Sequence, residues 1–412
     1  MYSNLEYPHA LFSVIGLEIE YMLVDADTLN IQPKSDVLLT ALAGTLTNAA
    51  ILDQITISNE LVLHVIELKN HIPQHPCANL AQQFQKTIEA LQPLLKIHNL
   101  TLLPSASHPW MNPYRETRRW LYDNHDIYRQ YDAIFNCNGH GWSNLQSMHV
   151  NLPFANDQEF FHLHSAIRIL LPLLPAISAS SPFLEGKITG MQDTRLHFYG
   201  SNQQKIPSIS GRIIPEFIRS LAEYQNTILN PMFNDIKPFD PDGILQFSWL
   251  NSRGAIPKPD CGAIEIRIID SQECVNADIA IANAIFAILQ HWLQNPEYLL
   301  DHPCATEKLY ALYQQTIKFG LGVYTEDAEL QRQWQLTKAA THCRTVWEQL
   351  LEKVSSKLDC RSQLALEKIL SQGNLSDRLL RAVNRNQSHS SLARIYNQLT
   401  MCLLHNQQLN VI

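Results

Sequence analysis

Three short apolar segments of this chain each carry two polar residues that are two positions apart. The pairs are Glu18 and Glu20, His149 and Asn151, and Glu265 and Arg267. Side chains two apart on a strand point to the same face, so each pair shares one face and the aliphatic neighbours take the other. A wet face is common in antiparallel sheets, which explains any single pair without function. Three such pairs together favour a functional polar face.

A fourth segment, Glu60 to Glu67, has an acid at each end. Ideal alternation puts residues seven apart on opposite faces, so a bulge or a strand end must re-aim one acid if both serve the same cleft. Two carboxylates about 4 Å apart repel by about 4 kcal/mol at an effective dielectric of 20. Converging acids therefore call for cations, and carboxylates with one imidazole suit Mg²⁺ or Mn²⁺.

Proline and charge divide the 412 residues into two predicted regions, 1–300 and 301–412. The first holds 20 of the 21 prolines, with 18 bases against 29 acids, and the second has 13 bases against 10 acids. The proline-poor tail is predicted to be helical and to pack on the first region. The predicted strands are 12–24, 60–68, 144–152, 244–250 and 263–269. The predicted helices in the first region are 78–99, 157–174, 211–226 and 278–293.

Composition excludes several classes of function. The formal charge of -8 argues against binding to nucleic acid or an anionic membrane. With only 14 glycines, the chain has neither a G-x-G-x-x-G nor a G-x-x-x-x-G-K-[ST] phosphate loop. The eight cysteines form no C-x-x-C pair, and the N-terminal segment has no basic region typical of a signal peptide. We therefore expect a cytoplasmic α+β protein that acts on small molecules; a homo-oligomer stays open.

Five motifs together resemble the glutamate-cysteine ligase type 2 family of carboxylate-amine ligases. In chain order they are Gly16–Glu20, Glu60 with Glu67, Met148–Val150, Ser181–Gly190 and Gly262–Asp270. The resemblance covers about residues 12–293 and implies a glutamine-synthetase-like fold, a curved and largely antiparallel sheet with helices behind. The concave face of such a sheet is expected to bind ATP and metal.

The resemblance also implies site residues. The expected Mg²⁺ ligands are Glu18, Glu20, Glu60, Glu67, His149 and Glu265. Arg267 is expected to contact nucleotide phosphates, and Arg195 to contact phosphate or the acidic substrate, both in catalytic roles. Asn151 is a further candidate for nucleotide binding. Arg119 is another, because three nearby guanidinium groups could clamp an anion, although a solvated helix start explains them equally well.

The implied reaction joins an acid, glutamate or a similar one, to an amine such as cysteine with consumption of ATP. Ala263 and the pair Gln192-Asp193 differ from the family pattern close to the substrates, so the amine stays open. Two rivals remain: a phosphotransferase of the same fold that acts on an amine or guanidine, and a non-catalytic nucleotide-binding relic that acts through a partner.

Overall fold

An eight-stranded antiparallel sheet forms the centre of the computed structural model, which describes residues 7–75, 79–384 and 387–411. Its strands run in the order β2-β3-β4-β1-β6-β10-β9, and β5 pairs with the second half of β1. Strands β7 and β8 form a separate hairpin. The strands are β1 Gly16–Asp25, β2 Ala49–Leu52, β3 Ile55–Asn59, β4 Val65–Asn70, β5 Leu100–Leu103, β6 Ser147–Pro153, β7 Phe183–Leu184, β8 Lys187–Ile188, β9 Ala255–Lys258 and β10 Ala263–Asp270.

Helices surround the sheet and make up the rest of the regular structure. The α-helices are α1 Ser35–Ala43, α2 Leu80–Ile97, α3 Pro113–Glu116, α4 His125–Phe135, α5 His140–Ser143, α6 Asp157–Leu170, α7 Leu174–Ser178, α8 Thr194–Tyr199, α9 Leu221–Tyr224, α10 Asn230–Ile236, α11 Val275–Trp292, α12 Glu297–Leu300, α13 Thr306–Phe319, α14 Ala328–Gln333, α15 Cys343–Val354, α16 Cys360–Gln372, α17 Leu375–Val383 and α18 His389–His405. Residues 225–229 form a π-helical turn between α9 and α10.

The apolar face of the sheet packs against helices. Leu17, Ile19 and Tyr21 alternate along β1 with the polar pair and are fully or almost fully buried. Helix α2 buries Leu80, Phe84, Ile88, Leu91 and Leu95, a stripe at helical spacing, in the same apolar cluster. This packing fixes which face of each strand is apolar, because a register slip of one residue would exchange the two faces.

The tail is helical over its described residues and packs in two places. Helices α13, α15 and α16 join the main apolar cluster, which also includes the back of the sheet. Helices α17 and α18 form a second cluster with the end of β1, including Met22 and Val24. Since one cluster contains side chains from both sides of residue 300, the division at this position stays a prediction.

Helix α17 also holds the loop before α8. The side-chain amide of Gln192 donates to Asp377 Oδ1 at 2.9 Å, and the Ser376 hydroxyl donates to the carbonyl of Gln192. The tail therefore contacts the segment that carries Arg195.

One helical run, Asp157–Ser178, is long and apolar enough to cross a membrane by length and composition alone. Of its most apolar window, 89% is buried inside the protein. Its hydrophobicity is accounted for by packing in the core.

Six of the nine strands and helices predicted for the first region are confirmed, and three are wrong in whole or in part. Residues 244–250 are no strand, because the Asp240 carboxylate accepts the amides of Ile244 and Leu245 and turns the chain. The predicted helix 211–226 begins only at Leu221, where the Ser220 hydroxyl caps the first turn. Only Val65–Leu68 of the segment 60–68 is extended as predicted. Ala78, the predicted start of α2, and Cys77 lie outside the described residues.

Candidate active site

The polar pairs of four strands meet on one face of the sheet. Residues directly opposite each other in neighbouring strands point to the same side, so the pairing register tests the predicted convergence. The opposed pairs are Glu20 with Glu67, Glu18 with His149, and Asn151 with Glu265. A continuous polar face therefore runs across β4, β1, β6 and β10.

One end of this face is rich in cations. Glu265 Oε1 accepts a hydrogen bond from Arg267 Nε at 3.0 Å, and Glu265 Oε2 forms an ion pair with Lys258. Lys258 Nζ also lies 3.8 Å from Glu18 Oε1, which accepts from Asn151 Nδ2 at 3.0 Å. Glu18, His149 and Glu265, with Lys258 and Arg267, are called the β10 half below.

His149 links this half to its neighbour. Its Nδ1 lies 3.1 Å from Glu18 Oε2, and its Nε2 lies 2.9 Å from the Ser147 hydroxyl. The amide and the hydroxyl of Ser147 both donate to Glu20 Oε2, at 2.7 and 3.0 Å. Both ring nitrogens of His149 are thereby engaged, so one of them must be released before the imidazole can bind a metal ion.

The other end of the face is poor in cations. Glu67 Oε1 accepts from the Ser58 hydroxyl at 3.0 Å and from Lys69 Nζ at 2.6 Å. Glu60 directly follows the last residue of β3, so a strand end changes its direction relative to Glu67. Glu20, Glu60 and Glu67, with Lys69, are called the β4 half below.

The two halves perturb their carboxyl groups in opposite directions. Burial and the nearby carboxylates of Glu20 and Glu67 raise the pKa of Glu60 well above its usual value. Burial and the Glu18 carboxylate raise the pKa of Glu67 to about 7. Burial would also raise the pKa of Glu265, but Arg267, His149 and Lys258 together lower the pKa to about 2. The β4 half has one lysine for three carboxyl groups, whereas the carboxylates of the β10 half lie among Lys258, Arg267 and His149.

Among the residues that the structure describes, two sets of side chains could hold a metal ion. The sets are Glu18 with His149 and Glu265, and Glu20 with Glu67 and His149, and within each set the ligand atoms lie within 4.8 Å of one another. Carboxylate oxygens with one imidazole fit Mg²⁺ or Mn²⁺ better than softer metals. Divalent cations are not the only groups that offset the repulsion between the carboxylates. Lys69, Lys258 and Arg267 form ion pairs with them and offset part of it.

Two arginines predicted to contact phosphate or substrate are occupied by other partners. Arg195 is 3% exposed, and its Nε lies 2.5 Å from Asp270 Oδ1. Its Nη2 finds no hydrogen-bond partner among the described residues. Arg119 Nη1 lies 2.5 Å from Asp132 Oδ2. Their roles toward a nucleotide or substrate stay predictions.

Several residues of the site were not found from the sequence. Lys69 and Ser147 each lie two positions from a predicted ligand, Glu67 and His149, so strand alternation could have found them. Lys258 ends a four-residue strand that contains Pro257 and was not predicted. Pairing with β10 places Lys258 opposite Ala263, and no local pattern signals this contact.

An aromatic cluster borders the β10 half. Burial raises the pKa of the Tyr131 hydroxyl, and the nearby Arg267 guanidinium offsets part of this rise. The centroid of the Tyr131 ring lies 5.4 Å from that of Trp142 and 6.2 Å from that of Trp249. Phe135 stacks on Trp142 at 5.8 Å. These rings give the polar face an apolar wall next to Arg267.

Two solved structures share this fold. The glutamate-cysteine ligase of Francisella tularensis, solved in complex with AMP, superposes with a TM-score of 0.65 over 98% of this chain and 90% of its own, at 13% identity. The bifunctional glutathione synthetase of Pasteurella multocida gives 0.60 over 95% and 53%, at 12% identity. The predicted α+β fold is confirmed, and it is the fold of these two ligases.

Sequence comparison gives the particular family. Residues 14–398 match the model of glutamate-cysteine ligase family 2, and the chain belongs to that family. An Archaeoglobus fulgidus protein of uncharacterized function is 38% identical over 68% of this chain and 75% of its own length. A Cronobacter sakazakii protein named "Putative glutamate--cysteine ligase 2" is 22% identical over 74% of this chain and 75% of its own. The match extends into the tail, beyond the residues of the resemblance.

Proposed function

We propose that this protein is an ATP- and Mg²⁺-dependent ligase that joins the γ-carboxylate of glutamate to an amine through an acyl phosphate. The observation that carries the proposal is the polar face across β4, β1, β6 and β10, in a chain of the glutamate-cysteine ligase family 2. The AMP bound to the Francisella tularensis ligase supports a nucleotide site on the same fold. The absence of a phosphate loop fits a site that holds ATP through carboxylate-bound cations and arginine.

The reaction requires positioning more than covalent chemistry. An oxygen of the γ-carboxylate attacks the γ-phosphorus of ATP and ADP leaves; the amine nitrogen then attacks the acyl carbon, phosphate leaves and the nitrogen loses a proton. Bound Mg²⁺ would offset the charge of the polyphosphate in this process. Glu18, Glu20, Glu60, Glu67, His149 and Glu265 would hold it.

The remaining residues of the site orient and stabilise. Arg267 has a side chain that is 21% exposed, so part of its guanidinium can reach a phosphate while Glu265 holds the rest. The Asn151 side-chain amide orients Glu18, and its position opposite Glu265 would place it close to the bound phosphates. Preorganised donors of this kind stabilise the charge that develops in phosphoryl transfer.

The proposal covers amines in general as acceptors and does not name a single one. The names of relatives point to cysteine, which would give the protein a role in glutathione biosynthesis in the cytoplasm. The aromatic wall beside Arg267 offers an apolar surface for the side chain of an acceptor. Cysteine is therefore the first amine to test, followed by other amino acids and biogenic amines.

An assay with hydroxylamine tests the chemistry without knowledge of the amine. Purified protein with glutamate, ATP, Mg²⁺ and hydroxylamine should yield γ-glutamyl hydroxamate and ADP, identified by mass. Arg267→Ala should lower the rate about 100- to 1,000-fold, since loss of one transition-state contact typically has this effect. Arg219→Ala, which removes a guanidinium whose side chain is 66% exposed, is the matched control and should keep the wild-type rate.

Other products would contradict the proposal in defined ways. AMP and pyrophosphate would mean that the acid is activated by adenylation. Phosphate transferred to an amine or guanidine, without hydroxamate from any acid, would mean a phosphotransferase.

A further inference from the structure

Lys258 reaches the polar face from the edge of the sheet. It is the last residue of β9 and lies directly opposite Ala263 of β10, whose methyl group leaves the long lysine side chain room on that face. Its ammonium pairs with Glu265 Oε2 and lies 3.8 Å from Glu18 Oε1. Because 29% of the side chain is exposed, it can also reach solvent at the rim of the cluster.

This position conflicts with metal binding by the same carboxylates. Both oxygens of Glu265 are in use, Oε1 by Arg267 and Oε2 by Lys258. Glu18 and Glu265, with His149, are also one of the two candidate metal-ligand sets. An ammonium and a divalent cation cannot both occupy the space between the same oxygens. Lys258 must therefore release Glu265 before this set can bind metal in full.

After its release from Glu265, the Lys258 ammonium would remain close to the polar face. The edge strand β9 keeps its backbone beside β10, so a free Lys258 stays at the border of the polar face. A lysine combines a compact charge with a flexible stem of four carbons, and it binds phosphate well as a point charge. Under the proposed function, a polyphosphate would arrive at this border together with the cations.

We propose that Lys258 is a tethered cation that exchanges partners, holding Glu18 and Glu265 until nucleotide binds and then contacting its phosphates. This inference rests on the proposed function, because it takes the ligand to be a nucleoside triphosphate. It makes Lys258 a positioning residue for the phosphates. It also makes metal binding at the β10 half dependent on nucleotide.

Lys69 provides a natural comparison inside the same cluster. Its ammonium lies 2.6 Å from Glu67 Oε1, and its side chain is 39% exposed. Glu67 Oε2 has no hydrogen bond or ion pair with another described residue, so metal binding there does not require Lys69 to leave. We therefore expect only Lys258 to compete with metal.

Two titrations of the intact protein test the exchange. In the first, Mn²⁺ binding without nucleotide is followed by electron paramagnetic resonance for the wild type and Lys258→Met. A neighbouring opposite charge changes the proton affinity of a carboxylate about 10- to 1,000-fold, so the variant should bind Mn²⁺ at least about tenfold more tightly at the β10 half. In the second, the non-hydrolysable analogue AMPPNP is titrated at saturating Mn²⁺, and the variant should bind it at least about tenfold more weakly.

The controls separate this role from a structural one. Lys258→Arg keeps the charge and should resemble the wild type in both titrations more than Lys258→Met does. Lys69→Met should leave AMPPNP affinity within about threefold, and the exposed Lys237→Met should change neither titration. Circular dichroism checks folding; if Lys258→Met does not fold, Lys258→Gln is measured in its place.

The outcomes are distinct from those of the ligase assay. Unchanged or weaker Mn²⁺ binding by the variant overturns the competition, and unchanged AMPPNP affinity overturns the contact with phosphate. Neither titration requires turnover. If Lys258→Met differs from the wild type as expected in both titrations, but the wild type forms no hydroxamate, the exchange is supported and the ligase chemistry is contradicted.

Discussion

The two halves of the polar face use similar carboxylates in opposite electrostatic settings. In the β10 half, Lys258, Arg267 and His149 surround Glu18 and Glu265, and the pKa of Glu265 falls to about 2. In the β4 half, Lys69 is the one cation that forms an ion pair with a carboxylate among the described residues, and this ion pair is with Glu67. Basic residues of the protein thus balance the charge of the carboxylates in the β10 half, whereas the carboxylates of the β4 half depend on bound cations.

The difference follows from which strand supplies each partner. Strand β10 carries its own cation, Arg267, two positions from Glu265, and its neighbour β9 adds Lys258. Farther along β10, Asp270 is paired with Arg195. Every acid of β10 therefore has a basic partner. Glu20 instead accepts from the amide and hydroxyl of Ser147, and the acids around Glu60 outnumber its one nearby cation, Lys69. We infer that the first divalent cation binds in the β4 half.

The largest expected effect concerns the buried pair at the end of β10. Asp270→Asn should lower the free energy of unfolding by about 3 kcal/mol, because it removes the ion-pair partner of the buried Arg195 guanidinium, while the nearby Asp193 offsets part of the loss. Urea denaturation measures the change. Asp126→Asn, at a surface pair with Arg129, is the control and should cost less than about 1 kcal/mol. An equal loss in both variants would show that the pairs of β10 are no more important than surface pairs.

The next effect separates the halves by metal affinity. Glu67→Gln should weaken Mn²⁺ binding in the absence of nucleotide at least about 100-fold, since loss of a merely supporting partner already costs about 10- to 100-fold. Glu18→Gln should weaken it less than about tenfold, because Glu18 lies in the half that already has cations. Calorimetry gives both constants. The reverse order would place the first cation in the β10 half and contradict the comparison.

The smallest effect is on stability in the presence of a chelator. Glu265→Gln should lower the free energy of unfolding by about 2 kcal/mol, as it removes charged hydrogen bonds to Arg267 and the pair with Lys258. Glu60→Gln removes no cation pair among the described contacts and relieves repulsion from Glu20 and Glu67, so it should not lower the free energy of unfolding. Thermal and urea unfolding with EDTA measure both. Similar losses in the two variants would mean that the halves do not differ in internal charge balance.

Strand alternation predicted much of the polar face from the sequence. Glu18 with Glu20, His149 with Asn151, and Glu265 with Arg267 lie on the expected strands, because aliphatic residues between them must face the helices. The direction of Glu60 was harder to predict, since it depends on where β3 ends.

The charge balance could not be predicted in the same way. Lys258 meets Glu265 through the pairing of β9 with β10, and Arg195 meets Asp270 across 75 residues of chain. Such contacts depend on tertiary packing, which no local period encodes. The acids and Arg267 were visible in the sequence, while the contact of Lys258 with Glu265 and that of Arg195 with Asp270 were visible only in the structure.

Anomalous diffraction from crystals grown with Mn²⁺ and without nucleotide tests the central claim most directly. The first anomalous peak should lie in the β4 half, within about 2.6 Å of carboxylate oxygens of Glu20 and Glu67. A second peak among Glu18, His149 and Glu265 should appear only when AMPPNP is added. A first peak in the β10 half, or no peak on this face at saturating Mn²⁺, would contradict the account.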